Sequence, residues 1–371
     1  MKVIVGLSGG VDSAVALLLL KQQGYDVEAM FMRNWDSTTN NDVLGNPTIT
    51  DDICPQEKDY NDAKLVADKL GIKLNRVDFV EEYWNTVFKY FLDEYQKNRT
   101  PNPDIMCNKE IKFKAFLNKA LDLGAEYIAM GHYAKVIHDH DKHYLLRAKD
   151  QNKDQTYFLA FISKDQLAKA IFPIGDLTKK EVRALAEENN LPVYNKKDST
   201  GVCFIGERDF KEFLKNYLPA KPGDIKTIDG KVVGKHEGTM YYTIGQRHGL
   251  GIGGDGEPWY IVGKDLKTNT LYAAQGKTNP LLYANKIIVT NPNFFNEPPL
   301  DGSHITAKFR YRAKDEDVII HYLEDNKILV ETLKPSWAVT PGQACVFYDG
   351  EYCLGGAIID QVFMDDEERK Y

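Results

Sequence analysis

The sequence predicts an α/β protein, a doubly wound parallel sheet followed by two small, mainly β domains. Strand-like and helix-like segments alternate up to residue 210, the pattern of a parallel sheet with helices on both faces. Beyond that point Lys221-Pro222-Gly223-Asp224, Asp229-Gly230, residues 249–256, Pro298-Pro299 and Pro341-Gly342 punctuate short alternating runs, as small β domains require. A Ser/Gly turn separates the first apolar run from the first helical one. Together these signals divide the chain into residues 1–210, 211–283 and 284–371, with no internal repeat.

Residues 3–7, Val-Ile-Val-Gly-Leu, are the short β-branched run of a buried strand. Residues 14–21 are rich in Leu and Ala and read as a helix closed by Gly24. Strands are expected at 27–32, 74–79 and 127–130, and helices at 60–70, 83–98 and 112–123. Thr178-x-x-Glu181 is a capping box opening a helix over 179–189, which ends before Pro192. Ligands of such sheets sit at the carboxyl ends of the strands. That is where Ser8, Met32, Gly131 and His132 fall.

The turn itself reads Gly6-Leu7-Ser8-Gly9-Gly10-Val11-Asp12-Ser13. A turn feeding a helix N-terminus offers unpaired N–H groups and the positive end of the helix dipole to an anion. Gly9 and Gly10 let the backbone approach a phosphate, and Ser8 and Ser13 add hydroxyl donors. A Walker-type loop is excluded because no Lys follows the glycines. The hydrolase elbow G-x-S-x-G fits the letters, but it needs several preceding strands that seven residues cannot supply. An ordinary strand-to-helix turn is the remaining alternative.

Bulk properties exclude some classes. The chain has 371 residues, a net charge of −7 and five cysteines, none in C-x-x-C spacing. A disulfide framework and a zinc ribbon are therefore not expected. No signal-peptide plan and no run of ~20 apolar residues is present, so a cytoplasmic protein without a membrane partner is expected. The acidic balance is unusual for a nucleic-acid binder. Yet cations cluster at Lys97, Arg99, Lys109, Lys112 and Lys114, and again at Lys308, Arg310, Arg312 and Lys314. Alternation in Lys308-Phe309-Arg310-Tyr311-Arg312 would set three cations on one strand face. Gly251-x-Gly253-x-x-Gly256 lacks the helix a dinucleotide site needs, and His138, His140 and His143 lie at a hairpin-like turn that suits no metal plan.

Two cysteines have unusual neighbours. Cys107 lies in a Pro-interrupted loop beside Lys109 and Lys112, cations that could favour its thiolate. Cys203 lies in a turn where Arg208 is the nearest cation. Taken alone, either could be a small buried hydrophobe.

SGGVDS at the first strand–helix junction resembles the signature of the ATP pyrophosphatases. NPDIMCNKEIKF, MGHYA, KDQTYFL, DSTGVCFIG and TIGQRHGLGI follow in order, with Arg310-Tyr311-Arg312 and Pro341-Gly342-Gln343 later. As a set these motifs resemble the bacterial tRNA-specific 2-thiouridylase family, over essentially the full length. The resemblance implies an adenine nucleotide alpha-hydrolase-like sheet and a C-terminal β-barrel. It implies transfer of sulfur to C2 of the wobble uridine in tRNAs for Glu, Gln and Lys, after ATP adenylates the C2 oxygen. Mg²⁺ would accompany the triphosphate.

By the same resemblance ATP would contact Gly6, Leu7, Ser8, Gly9, Gly10, Val11, Asp12, Ser13, Met32 and Gly131. Cys203 would carry the persulfide, Cys107 would be the nucleophile that releases its sulfur and leaves a Cys107–Cys203 disulfide, and Asp104 would be the acid/base. Asn102, Pro103 and Asp104 would meet the target base, and His132, Lys153, Asp154, Gln155, Arg310, Tyr311 and Gln343 would contact tRNA. The sulfur donor would be a cysteine desulfurase or a relay carrier. Direct persulfide attack and prior release of hydrogen sulfide both stay open. So do two other readings: a different ATP pyrophosphatase acting on tRNA or a carbonyl substrate, and a non-catalytic RNA-binding redox sensor.

Overall fold

The computed structural model describes residues 1–198, 201–203 and 205–369. Ser199, Thr200 and Phe204 of the motif around Cys203 lie outside the described residues, as do Lys370 and Tyr371. The first body is built on five parallel strands in the order Leu74–Asp78, Asp26–Arg33, Lys2–Gly6, Tyr127–Ala129, Ala170–Ile171. The order reverses beside Lys2–Gly6, so the crevice at its carboxyl end is the topological switch point of the sheet.

Period-two alternation assigns the strand residues to opposite cores. Val3, Val5, Ala29, Phe31 and Ala129 pack with the helices Val11–Gln22 and Pro55–Leu70 on one face. Ile4, Met30, Met32, Ile128 and Met130 pack on the other with Phe88, Phe91, Phe113 and Phe116. The capping box forms as expected: Thr178 accepts from Glu181 N, and Glu181 reaches back to the Thr178 N–H.

Two helical stretches differ from expectation. The helix expected over 83–98 runs as Val80–Tyr83, a π-helical turn Trp84–Phe88, and Lys89–Gln96. The helix expected to begin at 112 begins instead at Pro103 and continues through a π-helical run, Cys107–Ala115, into Phe116–Asp122. Cys107 therefore sits on a helix, where the sequence suggested a loop. Pro103 does not interrupt but initiates: it has no N–H to leave unpaired at a first helical turn. Asn102 Oδ1 caps that turn, accepting from Asp104 N at 3.1 Å and Ile105 N at 3.3 Å.

A four-stranded sheet follows, ordered Trp259–Asp265, Thr270–Gln275, Gly223–Lys226, Val232–His236. The last part is a closed antiparallel barrel. Its strands run Tyr283–Phe294, Lys327–Trp337, Glu316–Leu323, His304–Lys308, Ala344–Asp349 and Tyr352–Met364, the last pairing back onto the first. A hairpin of the first body, Lys135–Asp139 with Lys142–Leu146, joins this sheet through Leu145↔Cys353 and Leu146↔Tyr352. The expected cationic strand face at 308–312 does not form. The strand ends at Lys308, Phe309 is buried, and a turn bond from Ala313 N to Arg310 O bends the chain away. Among the described residues no helix is long and apolar enough to cross a membrane.

A candidate active site between a glycine turn and two cysteines

At the switch point the turn has a shape only glycine permits. Gly9 has φ +79°, and a Cβ there would stand 2.2 Å from the Asp59 carbonyl oxygen. Across the crevice, a Cβ on Gly131 would meet Ser13 N at 2.7 Å, so the second strand end is pressed against the turn. Ser13 Oγ donates to Gly10 O at 3.1 Å, accepts from Ser8 N at 3.2 Å and lies 3.1 Å from Ser8 Oγ. The helix Val11–Gln22 has Gly10 as its N-cap and no side-chain cap, which suits an anion at its first N–H groups. Gly6 and Met32 pack together at the strand ends, with Met32 buried.

Charged groups that sequence reading missed surround the turn. Lys179, the first residue of the capped helix, donates to Asp12 at 2.7 and 2.8 Å and pairs with Asp198 at 2.7 Å. Tyr133 OH donates to Asp12 Oδ1 at 2.8 Å. Asp198 also pairs with Lys153 and Arg183, each at 2.8 Å. Partial burial opposes ionisation of Asp198, but bonds from Lys153 and Lys179 hold its carboxyl down at about 2. Lys196 reaches Gly9 O at 3.1 Å and Asp59 at 2.8 Å. The capping box announced the Lys179 helix, but nothing local said that its first side chain faces Asp12.

The two cysteines, 96 positions apart in sequence, meet with Sγ atoms 3.6 Å apart, and both are free thiols. Burial pushes the Cys107 thiol well up, so it keeps its proton and donates. The bond from Cys107, with help from Lys112, holds Cys203 below the usual thiol range. Lys112, expected to serve Cys107, favours the thiolate of both sulfurs, and of Cys203 the more because it also bonds to it. Burial opposes the charge on Lys112, yet Cys203, Cys107 and Asp104 together keep it cationic. Asp104 Oδ1 accepts from Cys203 N at 3.1 Å, and Tyr83 OH donates to Cys203 O at 2.9 Å. Burial raises the Asp104 carboxyl, with Lys112 opposing. A protonatable carboxyl, a thiol and a thiolate-prone sulfur therefore share one buried corner.

Comparison with known proteins places the chain in a family. Residues 1–207 match the family described as tRNA methyl transferase HUP domain, residues 211–275 its PRC-barrel domain, and residues 284–359 an aminomethyltransferase beta-barrel domain. The whole chain is 56% identical to tRNA-specific 2-thiouridylase MnmA of Acholeplasma laidlawii, of which it covers 99%. It is 55% identical to the protein of that name from Staphylococcus aureus, covering 98% of it, and 53% identical to that from Bacillus cytotoxicus, covering 97%. The chain belongs to the tRNA-specific 2-thiouridylase family.

In this member of the family the residues expected to touch RNA are spread over several settings. His132 is buried between Phe113 and Phe172, and burial, with Lys112 nearby, holds it neutral. Lys153 is paired with Asp198. Asp154 is buried and accepts from Ala148 N at 2.9 Å and Thr156 Oγ1 at 2.7 Å. Gln155 Oε1 accepts from Tyr133 N at 3.0 Å. Tyr311 packs on Phe158 with ring centres 4.3 Å apart, and the Phe158 carbonyl accepts from Asn108, next to Cys107. Arg310 and Gln343 stand at junctions between bodies. Arg310 donates to Ile244 O at 2.8 Å, Ala338 O at 2.6 Å and Thr340 Oγ1 at 2.8 Å. Gln343 donates to Thr100 O at 2.7 Å, just before Asn102-Pro103-Asp104.

Proposed function

We propose that the chain is an ATP-dependent sulfurtransferase acting in the cytoplasm on the wobble uridine of tRNAs for Glu, Gln and Lys. The observation that carries this reading is the contact of 3.6 Å between a shielded thiol, Cys107, and a thiolate-prone one, Cys203. An amide-like C2 oxygen leaves poorly, and ATP supplies the adenylyl group that makes it leave well. The Gly6–Ser13 turn supports triphosphate binding: Gly9 and Gly10 admit close approach, and Ser8 and Ser13 line it. Met32 and Gly131 flank the turn for the nucleoside end. Among the described residues no three His, Cys, Asp or Glu side chains gather as metal ligands. Mg²⁺ fits as a companion of the phosphates, with Asp12 the carboxylate on the turn.

Cys203, favoured as thiolate, attacks the terminal sulfur of a persulfide on a cysteine desulfurase or relay carrier, and the donor leaves as a thiol. Two routes lead on. In one, the Cys203 persulfide attacks C2 and AMP departs. The Cys107 sulfur then attacks Cys203 Sγ, and the electrons of the broken S–S bond stay with the base as 2-thiouridine. In the other, Cys107 first displaces hydrosulfide, which attacks C2. Both end in a Cys107–Cys203 disulfide that an external thiol must reduce. Both need the sulfurs to close from 3.6 Å to a bond of about 2.05 Å. Asp104, kept protonatable by burial, serves as acid/base at the target uridine, which Asn102, Pro103 and Asp104 meet once it is splayed from its loop.

The near contact of two thiols would also suit an RNA-binding redox switch without catalysis. Nucleoside analysis of tRNA incubated with protein, Mg·ATP and a persulfide source separates the readings. Formation of 2-thiouridine that is lost in Cys203→Ser and in Cys107→Ser is expected. Undiminished product from C203S would sink the proposal.

A further inference from the structure

The turn that carries Cys203 is moored to a segment with no role in the reading above. Arg208, five positions after Cys203, forms an ion pair with Asp42 that is buried on both sides, with side-chain exposures of 4% and 0%. Arg208 donates through Nε at 3.0 Å and Nη2 at 2.7 Å to Asp42 Oδ2. Trp35 Nε1 donates to the same oxygen at 2.9 Å and Ser37 Oγ at 3.3 Å. The backbone follows suit: Asp209 N donates to Gly45 O at 2.9 Å, and Asn216 exchanges bonds with Leu44 N and O at 2.9 and 3.0 Å. Gly45 has φ +70°, and a Cβ there would strike the Asp209 carbonyl oxygen at 2.5 Å. The contact therefore has no room to slide.

Asp42 also supports the other side of the turn. The Trp35 ring, held by its bond to Asp42, stands edge-on to Tyr83 with centres 6.0 Å apart. Tyr83 in turn holds the Cys203 carbonyl. Taking two charges out of water is costly, and an apolar pair of like volume often stabilises a protein as well or better. A two-point, fully buried ion pair is instead suited to fixing one geometry among several. What needs fixing lies within the same short turn: a sulfur that must stay within bonding reach of Cys107.

We propose that Asp42 is a positioning residue for sulfur transfer, which through Arg208 and Trp35 holds the Cys203 turn in register with Cys107. The inference rests on the sulfurtransferase reading of the cysteine pair. Asp42 touches neither sulfur and acts only through its two partners.

The test is disulfide capture in the full-length protein by diamide, which takes two electrons and two protons as the thiols join. Asp42→Asn keeps the shape and removes the charge. It is expected to slow Cys107–Cys203 capture by about tenfold or more, since misplacement of reacting atoms by about an ångström costs that much. Binding of a non-hydrolysable ATP analogue and KM for tRNA should stay at the wild-type values, while the single-turnover thiolation rate falls with the capture rate. Should D42N not fold, Arg208→Lys keeps the charge but loses the fork, and the same slowing is expected. Capture at the wild-type rate in a folded variant, with wild-type protein active on tRNA, overturns the proposal alone. A wild-type protein that makes no 2-thiouridine overturns the reading beneath it.

Discussion

Lys264 Nζ donates to the carbonyl of Asn98 at 3.2 Å, and this bond ties the middle sheet to the segment that leads into Asp104 and Cys107. The barrel grips the same segment: Thr100 N donates to Pro341 O at 2.9 Å, and Arg99 reaches Asp360 at 2.7 Å and Ile359 O at 2.8 Å. All three bodies thus converge on Asn98, Arg99 and Thr100, just ahead of the reactive helix.

Burial drives the Lys264 amine down to about 7. The unfolded chain would hold that proton up to about 10.4, so between these values the unfolded state binds more protons. Stability should therefore rise with pH across this window and be lowest below 7. Lys264→Met should remove that slope and raise stability near pH 6 by on the order of a few kcal/mol, read as a higher melting temperature. Melting curves of both proteins from pH 6 to 10 check it, and parallel curves would contradict it.

Lys112 adds to the Cys107 bond in favouring the Cys203 thiolate. With Lys112→Met the Cys203 thiolate loses its cation, and the midpoint of its alkylation profile should move up. Each unit of that movement removes about tenfold of the thiolate at neutral pH. Cys107 should stay the slower thiol in both proteins, since burial first, and then Cys203 and Asp104, raise it. Iodoacetamide rates resolved by peptide mass spectrometry decide the matter.

Gly9→Ala places a methyl against the Asp59 carbonyl in a backbone region that side chains avoid. A cost of about 1–3 kcal/mol in stability is expected, together with loss of nucleotide binding. Calorimetry with a non-hydrolysable ATP analogue measures the second effect, and tight binding by G9A would exclude the turn as the phosphate site.

Asp198 is held near 2 by its lysines, below an unfolded value of about 3.9. Its contribution is complete above the unfolded value and is lost as pH falls through 2. Asp198→Asn should flatten that acid limb. It should also speed hydrogen exchange in residues 201–203 and 205–208, which follow Asp198 in the chain. Unchanged exchange would show that the Cys203 turn is held without this ion cluster.

What the sequence disclosed was local. The Ser8–Ser13 turn, the Thr178–Glu181 box and the alternating strands are encoded by neighbours, and they stand where expected. Cys107 was misplaced into a loop because Pro103 reads as a breaker unless its first-turn position and the Asn102 cap are recognised. The Lys308–Arg312 alternation mimicked a strand, but Phe309 turns into the core and Arg310 is taken up by carbonyls of two bodies. Lys112 with Cys203, Lys179 with Asp12 and Asp42 with Arg208 are meetings of distant segments. No window of sequence contains both partners, so only the folded chain reveals them.

The hairpin Lys135–Asp139/Lys142–Leu146 gives the molecule an unexpected seam. Its pairing with Tyr352 and Cys353 is reinforced by Arg147, which pairs with Asp315 at 2.7 Å and lies 3.7 Å over the Tyr348 ring. The opening body and the closing barrel are thereby stitched into one continuous ribbon. A protease nick on either side of the middle sheet would leave those outer parts joined, whereas a premature stop after residue 283 would leave the hairpin with a raw, sticky border.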